Sequence, residues 1–154
     1  QDYARPLQPN LTEVDICKLI PESAKTIHIP NNIQLSVICE QIPTLMLDPT
    51  YMRRILTNLI TNAVQAMPNG GKLTVTTSRN DSYAAITVED TGAGVPDDVK
   101  PRLFVPLFTT KAKGQGFGLP VVKRLVEAQG GTISFESQLG KGTKFIISLP
   151  IKGR

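Results

Sequence analysis

Asp48-Pro-Thr-Tyr-Met-Arg-Arg-Ile-Leu-Thr-Asn-Leu-Ile-Thr-Asn-Ala-Val-Gln-Ala-Met67 opens with a helix start signal, a carboxylate able to cap free N–H groups followed by proline at the first helical position. Met52, Ile55, Leu56, Leu59, Ile60, Ala63, Val64 and Met67 recur at spacings of three and four, which predicts a helix over about 49–67 with one apolar face. Pro68-Asn-Gly-Gly71 ends it. A helix of this kind must lie on something apolar, and its flanks supply a sheet.

Downstream, Lys72–Ser78 and Ala84–Asp90 read as paired strands across an Arg79–Ser82 turn. A glycine turn follows at 92–94, with a short helix near 97–103. A further helix is predicted over about 118–129, closed by Gly130-Gly131, and Thr132–Ser137 and Thr143–Leu149 make a hairpin around Gly140-Lys-Gly142. Upstream, Thr44–Leu47 is a short strand, and Ile33–Glu40 alternates as a half-buried strand does. Thr12 is the expected cap of a helix over about 13–27, with Asp15 in its first turn and Ile16, Leu19, Ile20, Ser23, Ala24 and Ile27 on one face. Residues before it form an extended lead-in. Three or four helices and five or six strands, the late ones joined as hairpins, imply an α+β two-layer sandwich. Its sheet is mixed, mostly antiparallel, and covered on one face by helices.

Length and composition set limits on this picture. The 154 residues, 40% hydrophobic and 19% charged, suit one domain and show no internal repeat. No apolar run approaches the roughly 18 residues of a membrane span, and the N-terminus lacks a signal-peptide pattern. One histidine, His28, and no Cys-x-x-Cys argue against a zinc site or a Ser-His-Asp triad. Cys17 and Cys39, in helix-like and strand-like contexts, form no evident disulfide framework, so a reducing compartment is expected. Gln1 in place of an initiator Met suggests a fragment or processed product.

The net charge of +4 matters less than where it sits. Between Asp98 and Glu127 there is no acidic residue, yet Lys100, Arg102, Lys111, Lys113, Lys123 and Arg124 fall there. The same stretch holds Lys111-Ala-Lys-Gly-Gln-Gly-Phe-Gly118, whose glycines can bring backbone N–H groups close to a polyanion. A solvated surface loop would look the same by charge alone.

Three places carry chemistry. Asn58 and Asn62, four apart, share one side of the 49–67 helix at the edge of its apolar face. Two carboxamide oxygens there could hold Mg²⁺, a hard cation that keeps several waters; an isolated asparagine pair more often satisfies backbone groups or faces solvent. Ile86, Val88 and Asp90 share strand parity, so Asp90 ends a buried row and needs a partner. That partner is either the exocyclic amino group of an adenine lying on Thr91-Gly-Ala-Gly94 or the chain's own backbone in an Asx turn. Gly114-x-Gly-x-Gly118 opens the last helix, whose N-terminus would face a phosphate. It is neither a Rossmann fingerprint nor a P-loop.

In this order the segments resemble the ATP-binding catalytic domain of sensor histidine kinases, the GHKL or Bergerat ATPase fold, over about 12–150. The N box resembles Asn58-Leu-Ile-Thr-Asn62-Ala-Val-Gln-Ala-Met67, and the first glycine box Asp90-Thr-Gly-Ala-Gly-Val-Pro96. The F box resembles Phe104-Val-Pro-Leu-Phe-Thr-Thr-Lys111, the second glycine box Gly114-Gln-Gly-Phe-Gly-Leu119, and a terminal Gly142-Thr143 is present. The wording is most similar to the nitrogen-regulation subgroup.

The resemblance implies ATP and Mg²⁺ as ligands, with Asn62 the principal metal ligand and Asn58 in support. It implies that Asp90 reads adenine with help from Thr143, and that Gly92, Gly94 and Val95 border the base, the glycines making room for it. Residues 104–117 would form a lid anchored by Phe104 and Phe108 and mobile near 109–116. Thr110, Lys111, Lys113, Gly114, Gly116, Phe117, Gly118 and Leu119 would meet the nucleotide. Many members carry lysine and tyrosine where this chain has Gln65 and Ala66, so Lys111 or Lys113 is the candidate replacement. Relatives that hydrolyse ATP resemble a pattern with glutamate at position 58; Asn58 cannot act as that base.

The function implied is transfer of the γ-phosphate to a histidine on a separate helical domain. His28 lacks the acidic neighbour of the acceptor motif and reads as structural. Residues 1–11 would be the lead-in from an upstream dimerisation and phosphoacceptor domain, and 12–154 the catalytic domain. A downstream response regulator, a homodimeric full-length protein and a cytoplasmic location, with or without a membrane anchor elsewhere, are expected. The alternatives are a serine kinase or a nucleotide-sensing module of the same fold. Nucleic-acid binding is disfavoured, because only Phe104, Phe108 and Phe117 interleave the basic stretch. Direct membrane contact by this domain is not expected.

Overall fold

The structure, a computed structural model, describes residues 6–106 and 118–151. In chain order its elements are β1 (Thr12–Val14), α1 (Ile16–Ala24), β2 (Ile33–Cys39), β3 (Leu45–Leu47), α2 (Pro49–Gln65), β4 (Gly71–Arg79), β5 (Tyr83–Asp90), a 3₁₀ turn (Lys100–Arg102), α3 (Gly118–Ala128), β6 (Thr132–Gln138) and β7 (Gly142–Pro150). A five-stranded sheet runs in the order β2-β4-β5-β7-β6, parallel at β2–β4 and antiparallel elsewhere. β1 and β3 form a separate antiparallel pair.

Strand alternation puts the helices on one face. Leu73 and Val75 of β4, Ala84, Ile86 and Val88 of β5, and Phe145, Ile147 and Leu149 of β7 are buried. Against them lie Met52, Ile55, Leu56, Leu59, Ile60 and Ala63 of α2, flanked by Ile16 and Ile20 of α1 and Val122 and Val126 of α3. The two-layer α+β sandwich expected from the sequence is the observed fold.

The α2 start is built as its sequence implies. Asp48 Oδ1 accepts hydrogen bonds from the Thr50 and Tyr51 N–H groups at 2.9 and 3.2 Å. Its Oδ2 accepts from the Asn10 N–H at 2.8 Å, which ties the lead-in to α2.

Two expectations need correction. Thr12 caps no helix: it pairs with Leu47 in β1–β3, and Asp15 caps α1 instead, its Oδ1 accepting from Lys18 N–H at 3.3 Å. α1 stops at Ala24 rather than near 27, where the Thr26 hydroxyl donates to the Ser23 carbonyl at 2.7 Å and competes with the helix. The second correction is the cysteines. Cys17 of α1 and Cys39 of β2 form a disulfide across a 22-residue separation, their Cα atoms 5.7 Å apart. The two cysteines are paired and so do not point to a reducing compartment. Periodicity placed one cysteine on a helix and one at a strand end, but it carries no information on which helix packs beside which strand.

Candidate functional site

The C-terminal end of β5 meets the start of β7. Asp90, buried with 5% exposure, is in register with Thr143, buried with 7% exposure. Asp90 Oδ1 accepts from the Gly92 N–H at 2.8 Å, so the Asx turn is made. The same residue also lines a cleft of about 290 Å³, so the two readings of Asp90 do not compete.

Asn62, Asp90 and Thr143 are polar groups of that cleft, and Val95, Val99, Leu103, Leu119 and Phe145 are among its apolar ones. A mostly apolar hollow with a few convergent polar groups fits a flat heteroaromatic ring that carries hydrogen-bonding edges. Phe104 closes the apolar side from behind. Its ring centroid lies 5.8 Å from that of Phe135 and 6.3 Å from that of Phe145, both edge-on.

Gly92 and Gly94 also answer a need of the backbone itself. A Cβ on Gly92 would collide with the carbonyl of Ala66, at the end of α2. One on Gly94, where φ is +79°, would collide with the Gln138 carbonyl at the end of β6. The glycines make room for backbone, letting the turn after β5 close onto α2 and the β6–β7 turn. The Ala93 N–H donates to Ala66 O at 3.3 Å, and the Gly140 N–H donates to Ala93 O at 2.7 Å. Gly94 lines the cleft, whereas Gly92 is absent from its lining.

α2 brings its asparagines toward the start of α3. Asn62 lines the cleft, and a Cβ on Gly118 would sit 3.6 Å from Asn58 Nδ2. The first turn of α3 carries backbone N–H groups without intrahelical partners, next to Asn58. Among the described residues no group of three or more His, Cys, Asp or Glu side chains can hold a metal. The two amides suit an ion whose remaining ligands are waters and phosphate oxygens, which is how Mg²⁺ is usually held.

Phe108, Thr110, Lys111, Lys113, Gly114, Gly116 and Phe117, together with the expected mobility near 109–116, lie outside the described residues. Part of the basic stretch is engaged locally. Lys100 Nζ donates to the Ser137 carbonyl at 2.7 Å and pairs with Asp97 at 3.1 Å, and Lys123 pairs with Glu127 at 2.8 Å. The surplus charge expected around the lid is thus answered in part by neighbours.

Ser137 was missed by the sequence reading. Its Oγ accepts from the Val95 N–H at 2.8 Å, lies 3.0 Å from the Gly142 carbonyl and is 2.9 Å from Thr143 Oγ1. A signal existed: Ser137 shares inward parity with Ile133 and Phe135, as Asp90 does with Val88.

Comparison with known proteins shows the family and the fold. Residues 47–153 match the family described as histidine kinase-, DNA gyrase B-, and HSP90-like ATPase. Sensor histidine kinase ZraS of Escherichia coli K12 is 38% identical over 97% of this chain, and the alignment spans 33% of ZraS. Sporulation kinase C of Bacillus subtilis is 37% identical over 68% of this chain and 24% of its own length. The chain therefore spans a third or less of these curated relatives. Among solved structures, the catalytic domain of histidine kinase ThkA superposes with a TM-score of 0.79 at 27% identity, covering 92% of this chain and 95% of that one. Full-length ShkA in complex with AMPPNP gives a TM-score of 0.84 at 29% identity, covering 97% of this chain and 33% of that one.

Proposed function

The chain belongs to the family of histidine kinase-, DNA gyrase B- and HSP90-like ATPases, and we propose that it binds Mg²⁺·ATP and donates the γ-phosphate to a histidine outside these 154 residues. The observation that carries this reading is the meeting of Asp90, Thr143 and Asn62 in one apolar-walled cleft beside the start of α3.

In this reading Asp90 accepts a hydrogen bond from the exocyclic amino group of adenine, with Thr143 beside it. Val95, Val99, Leu103 and Phe145 cover the ring faces. Asn62, with Asn58 in support, holds Mg²⁺, which neutralises charge on the phosphate oxygens. The N-terminus of α3 and the lysines at 111 and 113 meet the phosphates. Lys111, Lys113 and the glycines between 114 and 118 complete the site on the strength of the sequence resemblance.

Asn58 decides between transfer and hydrolysis. A carboxamide takes no proton at neutral pH, so this position offers no base to activate water. Phosphoryl transfer requires little beyond positioning and charge neutralisation; in this reading the cleft positions the nucleotide, and Mg²⁺ with Lys111 and Lys113 neutralises the phosphates. His28, the sole histidine, is exposed between α1 and β2 and is absent from the cleft lining. His28 also lacks the acidic neighbour of the acceptor motif, so in this reading the acceptor belongs to another domain, with an upstream dimerisation and phosphoacceptor domain, a downstream response regulator and a homodimeric whole protein as the partners. A cytoplasmic site of action is part of this reading, because ATP is the donor. No helix among the described residues is long and apolar enough to cross a membrane.

The test uses the full-length gene product and ATP labelled at the γ-phosphate. Acid-labile, base-stable label on a histidine is expected, and it should vanish in Asp90→Asn. Free phosphate alone, or label on serine, would overturn the histidine-kinase reading.

A further inference from the structure

Ser137 lies behind Thr143 and does not itself line the cleft. Its hydrogen bonds can be assigned directions by counting protons. A serine hydroxyl has one proton and two lone pairs. The Gly142 carbonyl, 3.0 Å from Ser137 Oγ, can only accept, so the serine proton points there. One lone pair of Ser137 takes the Val95 N–H at 2.8 Å. The other remains for Thr143, whose oxygen is 2.9 Å away. The threonine must then be the donor in that contact. Its only proton is turned away from the cleft, and the Thr143 oxygen faces the cleft with lone pairs alone.

We infer that Ser137 is a positioning residue that fixes the Thr143 hydroxyl as an acceptor, so that the cleft selects a 6-aminopurine over a 6-oxopurine. The inference rests on the nucleotide reading of the cleft. Asp90, in register with Thr143 on the neighbouring strand, is also an acceptor when ionised. Two acceptors side by side match an amino group with two hydrogens. They oppose the carbonyl oxygen of a 6-oxopurine, which would be buried facing lone pairs. The Val95 N–H held by Ser137 belongs to a residue that lines the same cleft, so one hydroxyl sets both the polarity of the floor and the position of part of the wall.

The experiment measures ATP and ITP affinities by calorimetry, with Mg²⁺, on the 154-residue chain, since the two nucleotides differ in the purine 6 substituent and in the N1 proton that the oxo form carries. Wild type should favour ATP by about tenfold or more. In Ser137→Ala the freed Thr143 hydroxyl can donate to the oxo group, so the ITP-to-ATP ratio of dissociation constants should fall about fivefold. Thr143→Ser, which keeps a hydroxyl, should retain the wild-type ratio. A loosened structure would weaken both nucleotides by the same factor; that result, or an unchanged ratio, overturns the assignment. If Ser137→Ala does not fold, Thr143→Val, which removes the opposed lone pairs without adding a donor, should show a smaller fall in ratio, and retention of the wild-type ratio overturns the inference. A wild type that binds both nucleotides equally refutes the role of Ser137 alone. One that binds neither refutes the nucleotide reading with it.

Discussion

The backbone N–H of Asp48 donates to Gln129 Oε1 at 2.8 Å, joining the first residue before α2 to the residue after α3. Both residues are buried, and Gln129 Nε2 donates in turn to the Leu125 carbonyl at 3.0 Å. α2 carries Asn58 and Asn62, and α3 opens beside Asn58, so this contact at their far ends fixes the relation of two elements that the site depends on.

Gln129→Ala should therefore destabilise the domain. It leaves the Asp48 N–H without its side-chain acceptor in a buried position, at a cost of about 1–3 kcal/mol. A lower urea midpoint with an unchanged m-value is expected. A midpoint equal to wild type would show that the contact contributes nothing.

Asp90→Asn and Asp90→Ala should separate two roles of one carboxylate. Asparagine keeps an oxygen for the Gly92 N–H, so the Asx turn and the thermal midpoint should survive. ATP affinity should still fall by about tenfold or more, because a charged acceptor has been lost. Alanine should lose both the affinity and part of the stability. Calorimetric titration beside thermal melts reads the difference.

Gly92→Ala should destabilise the protein in the absence of any nucleotide. The new Cβ meets the Ala66 carbonyl, a backbone atom at the end of α2 that cannot swing aside. A cost of about 1–3 kcal/mol is expected for the displaced backbone. A variant as stable as wild type that lost only ATP binding would show that this glycine is needed to make room for the base rather than for the backbone.

Reduction of Cys17–Cys39 should lower stability and leave the cleft intact. The bond closes a loop of 22 residues, for which chain entropy predicts about 3 kcal/mol. Neither α1 nor β2 lines the cleft, so ATP affinity of the folded protein should not change. Paired urea titrations with and without a phosphine reductant, alongside thiol counting, test both statements. A reduced protein with altered affinity would show that α1 communicates with the site.

Much of this was legible in the chain. The helical stripe from Met52 to Ala63 and the alternation ending at Asp90 are local repeats, and local repeats report which face of an element is buried. Thr12 misled because its capping chemistry is equally local, while the backbone of 12–14 was claimed by pairing with 45–47. Ser137 went unremarked though its inward parity could have been read, because a hydroxyl tells little until its neighbours are known.

Most of the elements, the buried rows and the ordered glycine and asparagine segments by which the family is recognised follow from the order of residues alone. Each depends on spacing along one strand or helix. Which residues meet was set by packing: Cys17 with Cys39, Ser137 with Val95 across 42 residues, and Asp48 with Gln129 across 81. The physical reason is that a period fixes the direction of a side chain, while its partner is set by how separate elements pack, and no repeat within either element carries that information.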